Sequence, residues 1–198
     1  MRFILILILS VSGSALGQTD FSADIVSSKP TNAFQTKIFV TKDKLRFQQE
    51  NNGHTNSIML VDLSALTSVV LIPQQHMYVK QSKPQIPGQG VAFFQPQDVM
   101  NACIPWKTMG ELKGKCRKLG KEIVNGRDTV KYEDVAADKS TSYIWIDTKL
   151  HFPIKWEGET GARELRNIQE VPQPADLFAI PAGYTKRSFG ATPAKSSE

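Results

Sequence analysis

Two cysteines and three histidines are all that this 198-residue chain contains, and those scarcities exclude much. A structural zinc site needs four ligands close together, and no two histidines stand at the i, i+4 spacing that puts a ligand pair on one helix face. His54 follows an Asn-Asn-Gly turn, His76 opens an extended run, and His151 precedes Phe152-Pro153. These are turn and strand-end positions, not a metal pattern. Missing too are a G-x-S-x-G elbow, a phosphate-cradling glycine loop and an H-E-x-x-H helix. Charge of one sign is modest. The formal net charge is +5, and beyond Arg2 the lysines and arginines are spread from Lys29 to Lys195. That lacks the basic stripe and interleaved aromatics of a nucleic-acid surface, though an anionic lipid headgroup remains electrostatically compatible.

Long hydrophobic runs are scarce as well. The main one, Phe3–Leu9, follows Met1-Arg2 and leads to the small residues Ala15 and Gly17. A membrane-spanning helix needs about 20 apolar residues, roughly twice this run. One positive charge, a short apolar stretch and a small-x-small ending predict a cleavable secretory signal over residues 1–17. Gln18 follows the expected cut, so the cysteine that would accept a lipid anchor is absent. The reading is therefore an exported chain, free in solution once mature, in the periplasm or beyond it. In an oxidising compartment an isolated cysteine pair predicts a disulfide between Cys103 and Cys116. The spacing is far from a redox C-x-x-C. Closing a loop of this length stabilises by roughly 3 kcal/mol in the chain-entropy picture.

What is present is mostly strand signal. Phe21, Ala23 and Ile25 alternate with Ser22 and Asp24, the period of a half-buried strand. Residues 37–41 and 44–48 flank a Lys42-Asp43 turn, and Asn51-Asn52-Gly53 marks another. Residues 58–63 and 68–72 are short, nearly continuous apolar runs, which suit strands covered on both faces. Residues 76–80 resume extended structure. From Ser82 to Pro96 the composition turns to proline and glycine, predicting a mobile loop that carries Val91, Phe93 and Phe94, with a short helix expected over Gln97–Ala102. Strands return at 121–124, across the Asn125-Gly126 hairpin signal, and at 128–135, 143–147, 152–157 and 164–171. Leu165 and Ile168 are out of phase in the last, predicting a bulge. A polar tail, 185–198, is expected to be disordered.

These elements predict a mainly β (α+β) fold spanning residues 18–184 as a single domain. Successive strands with tight turns make a curled antiparallel sheet or an incomplete β-barrel, covered by short helices and loops. Glu157 and Glu159 share a strand face near Glu164, as paired glycosidase acids would. Charged outer-face residues of an antiparallel strand explain them as well. The sequence offers no catalytic residue, metal ligand or cofactor motif, and the expectation is a protein that is not an enzyme.

Three segments carry a family resemblance: Lys37–Gln48 with Arg46; Ile58-Met59-Leu60-Val61-Asp62 through Ile72-Pro73 to Met77-Tyr78-Val79; and Trp145-Ile146-Asp147, Leu150, Pro153-Ile154-Lys155 with the ending Leu177-Phe178-Ala179-Ile180-Pro181-Ala182-Gly183-Tyr184. In their order they resemble the LolA/LolB-like superfamily of periplasmic lipoprotein carriers. The resemblance implies an incomplete barrel around a hydrophobic cavity that holds acyl chains. Phe39, Phe47, Tyr78, Trp145, Phe152 and Trp156 are the candidate lining residues, and Phe93, Phe94 and Arg46 the candidate lid. Alternation with Leu45 and Phe47 instead places Arg46 on the polar face, and the six aromatics equally suit a filled core. Two functions follow as expectations. One is a carrier of a lipid, acyl chain or lipidated partner with a role in outer membrane lipoprotein sorting. The other is an envelope interaction or sensor module without a lipid ligand.

Overall fold

Residues 19–28, 35–81, 93–110, 114–159 and 161–187 are described by the structure, a computed structural model. The expected signal, the greater part of the proline- and glycine-rich loop and the last eleven residues of the tail lie outside them.

Alternating apolar residues and two-residue turns generate the strands. The first half contains β1 (Phe21–Ser27), β2 (Gln35–Val40), β3 (Lys44–Asn51), β4 (His54–Asp62), β5 (Thr67–Ile72) and β6 (Met77–Gln81). The second contains β7 (Lys115–Val124), β8 (Arg127–Val135), β9 (Thr141–Asp147), β10 (Phe152–Gly158), β11 (Gly161–Gln169) and the short β12 (Thr185–Arg187). Asn52 and Gly53 (φ 49° and 77°) and Asn125 and Gly126 (φ 52° and 76°) take the left-handed conformation at both central positions of their hairpin turns. That conformation matches the twist of the flanking strands.

All twelve strands form one sheet in the order β12-β6-β5-β4-β3-β2-β1-β11-β10-β9-β8-β7. From β1 the chain meanders outward through β6 and crosses to the far edge at β7. It then meanders back until β11 pairs antiparallel with β1. The sheet is open rather than a closed barrel, with β7 and β12 at its two edges. Its curl is nonetheless strong: Asn125, in the β7–β8 turn, donates to the Glu164 carboxylate at 3.3 Å, on β11 three strands away from β8. The expected bulge is in β11. The register shifts between Arg166 and Gln169, and Asn167 (φ 52°) donates to Asp24 at 2.7 Å.

Two departures from the sequence reading concern what covers the sheet. The short helix expected at Gln97–Ala102 is only a 3-10 turn, Val99–Asn101. The α-helix, α1, begins after it and spans Cys103–Gly110. Asp98 caps the turn by accepting from the Met100 N–H at 2.7 Å. Folded structure also continues past Tyr184. Thr185–Arg187, expected to open a disordered tail, form β12 and pair parallel with Met77–Val79 of β6.

Candidate functional site

Strand alternation gives the curled sheet two chemically distinct faces. On the inner face Phe21, Ile38, Val40, Leu45, Phe47, Met59, Val130, Tyr132, Ile144, Ile146, Phe152, Ile154 and Trp156 join one core cluster. Among the described residues, the stretch 93–110 that precedes β7 covers this face. Its residues 93–96 have no regular secondary structure, yet Phe93 and Phe94 are each only 2 % exposed. The Phe93 ring lies 4.9 Å from Phe47, 5.6 Å from Phe152 and 5.2 Å from Trp156, centroid to centroid. These distances are those of favourable aromatic pairs, each contributing about 0.5–1.5 kcal/mol beyond area burial. Phe93 is therefore a plug seated in the middle of the aromatic face.

Further along the cover, Val99, Ala102 and Trp106 are buried against the same cluster. The Tyr132 hydroxyl donates to Val99 O at 2.7 Å and accepts from the Ala102 N–H at 3.2 Å. Burial holds that phenol above its ordinary pKa. The disulfide between Cys103 and Cys116 ties the start of α1 to β7. Beside Phe94 an open cleft of about 410 Å³ is lined by Lys42, Asp43, Leu63, Gln95 and Pro105 among others. It lies between the β2–β3 and β4–β5 turns and the cover.

Three of the six predicted lining aromatics, Phe47, Phe152 and Trp156, are brought together on the inner face around Phe93. The other three are on the outer face. Phe39 stands between the inward Ile38 and Val40 and pairs across the ladder with Arg46, whose guanidinium is 5.9 Å from its ring. Trp145, between the inward Ile144 and Ile146, is sandwiched by Lys155 and Lys131 at 4.3 and 4.6 Å and donates to Glu122 at 2.6 Å. That hydrogen bond holds the Glu122 carboxyl below its usual range. Tyr78 packs with Ile58, Leu60 and Leu71 in a second cluster. The physical reason is common to all three: each neighbours residues whose side chains already take the inward direction.

Arg46 is likewise outward and does not meet Phe93 or Phe94. It is not exposed there, because a C-terminal strap crosses this face from β11 to the β6 edge. Arg46 donates to the strap carbonyl of Leu177 at 2.8 Å and to Gln48 at 2.8 Å, while its Nε is buried without a partner. Burial lowers the guanidinium from its ordinary value. The alternation argument thus fixes the direction of Arg46, while the expected lid contact is replaced by a latch on the strap. Glu157, half of the candidate acid pair, is in an ion pair with Lys155 at 2.8 Å, and among the described residues no three His, Cys, Asp or Glu side chains are grouped to hold a metal.

Asp134 was missed by sequence reasoning, as was Trp106. Asp134 is 3 % exposed with Oδ1 unpaired, and burial raises its pKa. Nothing in its alternating strand separates it from an exposed acid. Trp106 did leave a signal, since Val99, Ala102 and Trp106 recur at helical spacing.

No family model matches the sequence, and no curated protein matches it significantly. The fold does have solved counterparts. An uncharacterised conserved protein from Thermus thermophilus superposes with a TM-score of 0.55 at 9 % identity, covering 87 % of this chain and 92 % of that one. PNGF-II gives 0.53 at 10 %, over 87 % of this chain but 31 % of the other. A MucA/MucB complex of Pseudomonas aeruginosa gives 0.50 at 13 %, over 83 % and 56 %. The chain thus spans about a third and a little over half of those two longer chains. At such identities the likeness is one of fold alone. A lipoprotein-sorting-type domain from Vibrio parahaemolyticus also aligns, at 12 % identity and a TM-score of 0.35, a value that carries no argument. Among the described residues no helix is long and apolar enough to cross a membrane.

Proposed function

We propose that this protein is an exported, non-enzymatic carrier that holds the acyl chain of a lipid or lipidated partner against the inner aromatic face of its sheet. The observation that carries the reading is the nature of the cover. Phe93 and Phe94 close the face from a stretch without regular hydrogen bonding, so they can leave it without breaking a ladder. Phe47, Phe152 and Trp156 then form the lining, and the cleft beside Phe94 is the way in. Displacing one buried phenylalanine costs about 3–5 kcal/mol. Each buried methylene returns about 0.8 kcal/mol, so about five methylenes offset one ring. A longer chain binds with net gain. The predicted signal at residues 1–17 and the disulfide both support work in the periplasm.

The test is native mass spectrometry of protein purified from its own envelope, with titration by a fluorescent fatty acid. A ligand-bearing mass and saturable binding are expected. A bare mass with no binding at micromolar protein would end the proposal.

One observation favours a second reading, an envelope protein-interaction module. The inner face is filled by the chain's own Phe93, and the fold counterpart MucB is solved with a protein, MucA. Tight co-purification with one envelope protein, free of lipid, would favour it.

A further inference from the structure

Among the described residues seven large apolar side chains are exposed, and four of them, Met100, Ile104, Leu119 and Ile123, belong to the cover and to β7. The two elements are fastened side by side. The Cys103–Cys116 disulfide joins them, and Lys118 Nζ donates to the Met100 carbonyl at 3.3 Å. Ile104, 78 % exposed, stands on the side of α1 opposite the buried Trp106. β7 is an outer edge of the sheet. Its partners Tyr132 and Val130 point toward the cover, and so do Lys118 and Lys121 across the ladder from them. Ile123, 74 % exposed, follows on the same side. Leu119 is the extra residue where the register shifts between Lys118 and Gly120. The four aliphatic groups therefore share one flank of the molecule.

Positive charge gathers on the same strand. In β7 the exposed residues include Lys115, Arg117, Lys118 and Lys121 against one acid, Glu122. The neighbouring acids are engaged elsewhere: Glu122 with Trp145 and Lys131, Glu133 with Arg117, and Asp98 in the cap of its turn. Asp128, opposite Ile123, is the acid that remains at the far end of the strand. Cations among exposed aliphatic side chains are what an interfacial surface presents to lipid. The aromatic interleaving that a nucleic acid would want is absent from β7. We propose that the β7 edge and the adjoining side of α1 are a docking surface for an anionic lipid bilayer. Two other occupants fit worse. A second copy would bring like charges together at the edge. An added peptide strand would meet the register shift and the edge lysines, both of which block strand pairing. A bilayer needs no matching ladder: the aliphatic tips enter the interface while the ammonium groups stay among the phosphates. Each cation close to an anionic surface strengthens partition about fivefold, so three lysines give on the order of a hundredfold. Docking needs no cargo, and it stands apart from what the inner face holds.

The test is flotation of protein purified from its own envelope with vesicles of phosphatidylcholine, either alone or with about one third phosphatidylglycerol. The anionic vesicles are expected to carry the protein and the neutral ones to leave it behind, with binding lost as salt rises from about 0.05 to about 0.5 M. Lys118→Glu with Lys121→Glu, and separately Ile104→Asp with Ile123→Asp, should each weaken partition at least about tenfold. All four side chains are exposed, and urea unfolding verifies that each variant is folded. Should a pair fail to fold, Lys121→Glu and Ile104→Asp alone must shift partition in the same direction. Leu66→Asp with Val171→Asp, exposed aliphatics elsewhere, should leave it unchanged. Absence of flotation with the anionic vesicles overturns the proposal. So does an isoleucine pair that binds like the wild type, which would reduce the contact to charge alone, or a Leu66 and Val171 pair that weakens binding as much as the patch variants. Binding to soluble polyglutamate without binding to vesicles would make the partner a protein and overturn it too. Fatty-acid titration of the same variants reads the inner face separately, so a failed cargo site and a failed docking surface are told apart.

Discussion

Replacing Phe93 by alanine tests the cover and the cargo site together. The ring is almost wholly buried and meets three aromatic partners at 4.9–5.6 Å. For a core residue, truncation from Phe to Ala costs about 3–5 kcal/mol. The lower end applies here, since the carrying segment has no ladder hydrogen bonds and can settle into the space. About 3 kcal/mol in a domain of this size corresponds to a fall in Tm of roughly 6–12 °C. Urea unfolding followed by tryptophan fluorescence should give that loss with an unchanged m-value, because the surface exposed on unfolding stays nearly the same. The distinguishing readout is binding. If an acyl chain competes with the ring for Phe47, Phe152 and Trp156, the variant binds a fluorescent fatty acid at least tenfold more tightly, about 1.4 kcal/mol. A variant that loses stability and gains no affinity would show Phe93 to be ordinary core, and the displacement argument would fail. A loss below about 1 kcal/mol would refute the packing argument itself.

Three further outcomes follow from named contacts. Asp134 is buried with a raised pKa, so its protonated form favours the fold: that stability is complete below the unfolded carboxyl pKa and is lost as pH rises through the folded one. Asp134→Asn should raise Tm at neutral pH and flatten the decline in stability between mildly acidic and neutral solution, by calorimetry across pH; an unchanged profile would mean that Asp134 does not titrate in the fold. Cys103→Ala with Cys116→Ala should lower stability by about 3 kcal/mol and raise hydrogen exchange first in α1, the element that the bridge ties to β7; uniform exchange would count against a local tether. Gly114→Ala would put a Cβ at 2.2 Å from Asp134 Oδ2 and 2.6 Å from the Val135 carbonyl. Because the second is backbone, the strand must shift, and a loss of about 1–3 kcal/mol is expected by urea unfolding.

The sheet was largely legible because period-two alternation and Asn-Gly turns are local, and they set strands and hairpins before any tertiary contact forms. Even the β11 bulge showed itself in the phase of Leu165 and Ile168. The covers were not legible for a related reason. Phe39, Tyr78 and Trp145 look alike in composition to Phe47, Phe152 and Trp156, and only register assigns a face. The outer aromatics are covered by long-range partners, Lys131 and Lys155 for Trp145 and the strap for Tyr78, which no local window contains. Asp134 is hidden for the same reason: Gly114 comes to it from the crossing segment, not from its own strand.

The seam between β1 and β11 joins residues as distant as Ser22 and Gln169, and this has a kinetic consequence. Synthesis runs from the N-terminus, so β2 through β6 can zip up from adjacent hairpins while one flank of β1 waits for a partner that emerges only after β10 is made. Closing so large a loop comes late and slowly. Until then the nascent protein presents an unsatisfied ribbon of amides and carbonyls, the state in which a helper that shields strand flanks would matter most.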